Sequence, residues 1–214
     1  MTEVLDCTDL ASRPAAIDRA VQAVGAGSVI VLPTDTLYGV GADASDPAAV
    51  AAVLAAKGRG RDMPLPVLVG SWSAAEDLVP YVGFEVKDLI DAFWPGGLTL
   101  IVEHAPTLSW DLGNTQGTVA LRMPLQAVAL AVLRKTGPMA VSSANRSGQP
   151  PATTVEQALA QLGDSVSVYL DDGPVAIGTA SSIVDLTGQA PRLVREGAIS
   201  FAELAQVAPR LQPA

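Results

Sequence analysis

The 214-residue sequence is poor in the side chains from which many reactive centres are built, with one cysteine, Cys7, and one histidine, His104. One cysteine permits no intrachain disulfide, and with a single histidine beside it no Cys/His metal cage can form. A Ser-His-Asp triad would have to use His104, which lies in Glu103-His104-Ala105-Pro106 with no serine-bearing elbow nearby. Neither Gly-x-Gly-x-x-Gly nor Gly-x-x-x-x-Gly-Lys-Ser/Thr occurs, which removes the Rossmann and Walker fingerprints. No apolar run approaches the ~18 residues of a membrane span. The N-terminal stretch is acidic and mixed, unlike a secretory signal, so a cytoplasmic protein without membrane attachment is expected. Cations are scarce: 13 Lys and Arg against 22 Asp and Glu give a net charge of −9. That balance argues against a broad basic face for nucleic acid. Phe, Trp and Tyr occur three times each, so the core must come mainly from Ala, Val, Leu and Ile.

What is present describes a well-buried, turn-rich globular chain, 49% hydrophobic with 19 glycines and 16 prolines. Helical spacing of Ile17, Ala20, Val21 and Val24 predicts a helix over 14–25, and Asp46-Pro47 opens another to about Ala56. An amphipathic helix is expected over 84–93, and further helices over 125–136 and 155–162. A last helix begins at Ser200, with Glu203 completing a capping box. Apolar runs predict strands at 28–32, 66–70, 98–102, 118–122, 139–141, 166–170 and 182–186. Strands alternating with helices indicate an α/β domain with a mixed sheet. One domain is expected over 1–208, followed by a C-terminal tail at 209–214 that reads as a frayed end or a truncated linker.

Four polar constellations interrupt this apolar chain, each at a strand end or in the loop after it, where open α/β sheets place ligands. The first is Pro33-Thr34-Asp35-Thr36-Leu37-Tyr38-Gly39-Val40-Gly41, which reads equally well as a structural turn. The second, Lys57-Gly58-Arg59-Gly60-Arg61, gathers three cations that repel one another unless an anion sits among them. A polyphosphate suits it, and a solvated basic turn is the alternative. The third is Ser142-Ser143-Ala144-Asn145-Arg146-Ser147-Gly148, able to bind phosphate or a base or simply to cap a turn. The fourth joins Gly178-Thr179-Ala180-Ser181-Ser182 to Arg195. Arg122 ends an apolar strand and, if buried, needs an anionic partner, either an internal carboxylate or that of a substrate. With no protein nucleophile in these groups, positioning and charge neutralisation are the available catalytic modes.

The segments PTDTLYGVGADA (33–44), KGRGRDMPLPVLV (57–69), FWPGGLTLIV (93–102), TVALRMP (118–124), SSANRSG (142–148), ASSIVDL (180–186) and LVREG (193–197) together resemble the YrdC-like family of threonylcarbamoyl-AMP synthases. They occur in the family's order across most of the chain, which resembles the short form that lacks an extra C-terminal domain. The resemblance implies a twisted mixed β-sheet flanked by helices around a deep, positively lined cavity. It implies synthesis of threonylcarbamoyl-AMP and pyrophosphate from L-threonine, bicarbonate or CO2, and ATP. The product would serve N6-threonylcarbamoyladenosine formation at position 37 of tRNA, through a separate threonylcarbamoyl-transferase complex. By resemblance Thr36, Arg122 and Ser181 would bind threonine, and Arg59, Thr118, Ser143, Asn145 and Arg195 would hold ATP. Lys57 and Arg59 would be catalytic, with Lys57 and Arg61 on the phosphates. Mg2+ would come with ATP rather than occupy a protein metal site.

The chain departs from the family pattern at Gly60, where proline is usual, and at Met63 and Leu68, where asparagine and histidine are common. Two rival readings remain at this point. One is the carbamoyl-transfer domain found inside hydrogenase-maturation proteins. The other is a double-stranded-RNA-binding or ribosome-maturation module without catalysis, which requires a basic outer face.

Overall fold

The computed structural model describes residues 2–214. Among the described residues ten strands form one sheet: β1 (Glu3–Asp6), β2 (Ile30–Leu32), β3 (Gly39–Asp43), β4 (Val67–Leu68), β5 (Leu98–Glu103), β6 (Thr118–Arg122), β7 (Met139–Ser143), β8 (Val168–Asp171), β9 (Ser182–Asp185) and β10 (Arg192–Arg195). Their spatial order is β1-β8-β2-β3-β7-β4-β6-β5-β9-β10. Parallel pairs (β1/β8, β2/β8, β4/β6, β5/β9) mix with antiparallel ones, as the alternation of elements predicts.

Seven helices flank the sheet among the described residues: α1 (Arg13–Gly25), α2 (Pro47–Lys57), α3 (Trp72–Glu76), α4 (Phe84–Phe93), α5 (Ala127–Thr136), α6 (Val155–Leu162) and α7 (Phe201–Val207). Their ends follow the chemistry of the sequence. Asp46 accepts from the amides of Ala48 and Ala49 to start α2, and Gly58 ends it in the left-handed region at φ 61°. Ser200 and Glu203 form both bonds of the expected capping box.

Alternation along the strands divides the interior into two apolar layers. Ile30, Leu32, Met139, Val141, Val168 and Leu170 pack under α1 and α5. Their neighbours Val31, Ala140 and Tyr169 point to the other layer, with α2, α4 and α6. On β5 and β6 the same alternation sends Leu98, Leu100, Val119 and Leu121 into that second layer. Thr99, Ile101, Ala120 and Arg122 face the opposite way, into a cavity. The cavity is therefore the part of one sheet face that α1 and α5 leave uncovered.

Three differences from the sequence reading have physical reasons. β1 is short and half-exposed, so Glu3 and Asp6 mask its strand pattern. β3 lies inside the polar first constellation, and its glycines are a packing requirement. A Cβ on Gly39 or Gly41 would come within 2.6 Å of a Val141 methyl on the adjacent β7. The tail expected to fray is docked instead: Leu211 is buried, Leu193 N–H donates to Gln212 O, and Gln212 N–H donates to Pro191 O, both at 2.9 Å.

Candidate active site

The uncovered sheet face encloses a cavity of about 490 Å3, within the range of small-molecule sites. Segments from all four constellations reach it, because β2, β7 and β9 deliver their adjoining loops to the same side. Thr36, Arg59, Arg122, Ser143, Asn145, Ser181 and Arg195 all line it. No Asp or Glu does, among the described residues, so a protein of net charge −9 keeps a cationic interior here.

One end is built around Arg122, at the end of β6. Its Nη2 donates to Asp35 Oδ1 at 2.6 Å, its Nη1 to Thr36 Oγ1 at 2.8 Å and its Nε to Gly96 O at 2.9 Å. The partner left open by the sequence is thus an internal carboxylate, while the guanidinium still faces the cavity. Burial pushes the Arg122 pKa down and Asp35 opposes that shift. Thr36 is held in turn by Thr34, whose Oγ1 lies 3.1 Å from Thr36 Oγ1 and accepts from the amides of Thr36 and Leu37. Ser181 Oγ lies 2.9 Å from Thr99 Oγ1. Arg195 donates to Ser181 O through Nε and Nη2, at 3.0 and 2.7 Å. A register break between Leu193 and Arg195 in β10 gives Arg195 this aim. Burial lowers its pKa as well.

The other end carries the glycine-rich cationic loop and the turn after β7. Arg59 Nη1 donates to Ser142 Oγ at 3.2 Å, and its buried Nε has no partner. Burial pushes the Arg59 pKa down. Lys57 is the last residue of α2 and lies behind the lining. Its Nζ donates to Ser143 O and, at 2.8 Å, to Asn145 O, so it braces the turn that presents those two residues. Burial, then the charge of Arg59, pushes the Lys57 pKa down to about 8. The Asn145 amide is committed to Arg146 O and Gln149 O, both at 2.8 Å.

Two more expected ATP contacts, besides Lys57, sit outside the lining. Arg61 points outward and pairs with Asp111, both half-exposed. Thr118 begins β6 and donates its hydroxyl to Thr115 O at 2.7 Å. Asp35 and Ser142 lie inside the polar constellations without an individual role, and Thr99 lies outside them, although a lone hydroxyl at an alternating position of an apolar strand was a usable signal. That Asp35 is the partner of Arg122 had no local signal, because the two lie 87 residues apart.

The lining fits an anionic ligand. Two N–H groups of Arg122 remain for a carboxylate, and Arg59 and Arg195 suit phosphate oxygens. A resident metal ion does not fit: no group of three or more His, Cys, Asp or Glu could hold one among the described residues.

A family model covering the Sua5, YciO and YrdC proteins, described as telomere recombination, matches residues 22–197. A Mycobacterium tuberculosis protein provisionally named threonylcarbamoyl-AMP synthase is 57% identical over 97% of this chain and 95% of its own. A Bacillus subtilis threonylcarbamoyl-AMP synthase is 37% identical over 95% of this chain, which spans 60% of that protein. The crystal structure of Pyrococcus abyssi Sua5 complexed with L-threonine superposes with a TM-score of 0.95 at 30% identity. It covers all of this chain, which spans 63% of that one.

Proposed function

Because the chain belongs to the Sua5/YciO/YrdC family, we propose that it is a threonylcarbamoyl-AMP synthase, converting L-threonine, bicarbonate and ATP into threonylcarbamoyl-AMP, pyrophosphate and water. The observation that carries this reading is the single cavity in which Arg122, Thr36 and Ser181 gather at one end and Arg59 with the Ser143–Asn145 turn at the other. The first group suits the carboxylate and hydroxyl of threonine, the second the phosphates of ATP.

The chemistry needs no protein nucleophile. The threonine nitrogen joins CO2 to form a carbamate, and a carbamate oxygen then attacks the α-phosphorus. The bond from that phosphorus to the β-phosphate bridging oxygen breaks, and pyrophosphate leaves. The wall contributes by holding the two reactants in line and by neutralising charge on the leaving group. Arg122 orients threonine through its carboxylate, while Thr36 and Ser181 fix the side chain. Arg59 and Arg195 take the phosphates, Ser143 and Asn145 border the nucleotide, and Lys57 keeps their turn in place. Arg61 and Thr118 reach ATP only from the rim. Mg2+ would come with ATP and add to the neutralisation of phosphate charge, rather than occupy a site on the protein.

We place the enzyme in the cytoplasm, ahead of a transferase complex that passes the threonylcarbamoyl group to position 37 of tRNA. No helix of the described residues is long and apolar enough to cross a membrane. The RNA-binding reading is not favoured: the chain carries a net charge of −9, and outer cations such as Arg19, Lys135, Arg192 and Arg210 are paired with Glu3, Asp18, Asp185 and Glu85.

Pyrophosphate release from ATP, with threonine and bicarbonate each present or omitted, tests the reaction. Release that requires both is expected. Release without threonine, or none under any condition, would overturn the assignment.

A further inference from the structure

Asp35 is buried with Arg122 at the threonine end, yet it does not line the cavity. It touches the guanidinium from behind. We infer that Asp35 is a positioning residue, which sets how Arg122 presents its two free N–H groups to the carboxylate of the amino-acid substrate. The inference rests on the threonylcarbamoyl-AMP synthase reading for the identity of that substrate.

A guanidinium has five N–H groups in a rigid fork. Gly96 O, Thr36 Oγ1 and Asp35 Oδ1 take one each from Nε, Nη1 and Nη2. One N–H is left on each terminal nitrogen, which leaves two donors for a carboxylate. Of the three acceptors only Asp35 carries charge, and its 2.6 Å bond is the shortest. Without that carboxylate Arg122 would be a buried cation held by two neutral oxygens, free to turn toward solvent or toward any anion in the cavity.

Asp35 is itself fixed from several directions. Its Oδ1 also accepts from Leu125 N–H at 3.1 Å, tying it to the chain just beyond β6. Its main-chain oxygen accepts from Ile177 N–H, and that of Thr36 from Gly178 N–H, both at 3.0 Å. Those two amides belong to the loop that leads to Ser181. One residue thereby links Arg122, Thr36 and the approach to Ser181. Its second oxygen, Oδ2, is buried with no partner.

Threonine and ATP affinities of Asp35→Ala and Asp35→Asn, measured by calorimetry beside thermal unfolding, provide the test. Asp35→Ala is expected to weaken threonine binding about 10- to 100-fold, the effect of losing a charge-assisted bond. Its ATP affinity should stay within about threefold of wild type. Asp35→Asn keeps an acceptor at Oδ1 but removes the charge, so it should recover only part of the threonine loss. If Asp35→Ala does not fold, Asp35→Glu carries the test, since moving the carboxylate by one methylene should weaken threonine roughly tenfold or more. Equal losses for threonine and ATP, or an unchanged threonine affinity, would overturn the positioning role.

The Arg122 Nε–H signal in a 15N NMR spectrum, identified by its absence in Arg122→Lys, gives a readout without substrate. It should be sharp in the wild type and broadened in Asp35→Ala, and an unchanged signal would also overturn the inference. If the wild-type protein binds no threonine while Asp35→Ala still releases Arg122, the substrate reading falls and the positioning role stands.

Discussion

At the proposed threonine end, Arg122 is held by Asp35 and Thr36, and Ser181 meets Thr99, through hydrogen bonds of 2.6 to 2.9 Å. At the phosphate end, Arg59 reaches only Ser142 Oγ, its Nε is unpartnered, and Arg61 turns away to Asp111. The first end rests on strand termini and is almost wholly buried. The second follows a helix that stops at left-handed Gly58 and continues through Gly60. The threonine end is thus braced by its own side chains, with two N–H groups of Arg122 left for a ligand, whereas Arg59 is held by a single side-chain bond. On the proposed function, preorganisation serves the smaller substrate, which offers few contacts of its own, and the polyphosphate brings enough charge to order its own site.

The sharpest way to break this contrast is to remove one arginine from each end. Arg122→Ala leaves Asp35 buried and unpaired, so a stability loss of about 3–5 kcal/mol is expected in urea denaturation, with threonine-dependent turnover abolished. Arg59→Ala should lower turnover about 100-fold or more while shifting stability by under about 1 kcal/mol. Comparable destabilisation by both would mean that the two ends are equally built in.

A subtler effect concerns Lys57, whose folded pKa of about 8 lies below its ordinary 10.5. Between those values the unfolded chain binds more protons, so this residue makes stability rise with pH across that window. Cys7 acts in the opposite sense, because burial first, and nearby Asp172 next, raise its pKa from 9.0 to about 11. Stability curves of wild type and Lys57→Met should therefore diverge between pH 8 and 10.5, and parallel curves would show that Lys57 is not held as described. The smallest effect belongs to Asp111→Ala. An exposed, solvent-screened pair contributes little, so stability should barely change and ATP affinity should shift a few-fold at most.

The elements that were legible in the sequence are those with a strong period or a clear stop signal. Asp46-Pro47 and the Ser200–Glu203 pair gave helix starts that recur in the structure. Apolar runs located β5 and β6 at both ends to within a residue. β3 was hidden because its glycines and neighbouring hydroxyls look like a turn, and only the closeness of Val141 explains them. The site was legible as a set of polar islands, since an apolar chain displays them against a plain background. Their internal wiring was not. That Lys57 faces carbonyls of the β7 turn, or that Arg122 meets Asp35, depends on contacts across 86 and 87 residues, which no local pattern encodes.

The composition of the cavity wall also decides where protons travel. Among the described residues the lining has no Asp, Glu, His, Lys or Cys, and its one phenol, Tyr38, is pushed above its ordinary pKa by burial. None of its side chains exchanges a proton readily between about pH 5 and 8. The proton shed when the threonine nitrogen takes up CO2 must therefore leave with solvent or with the oxygen of bicarbonate. The enzyme so described is a mould and a counter-charge, and the acidity at which it works best is a property of its substrates.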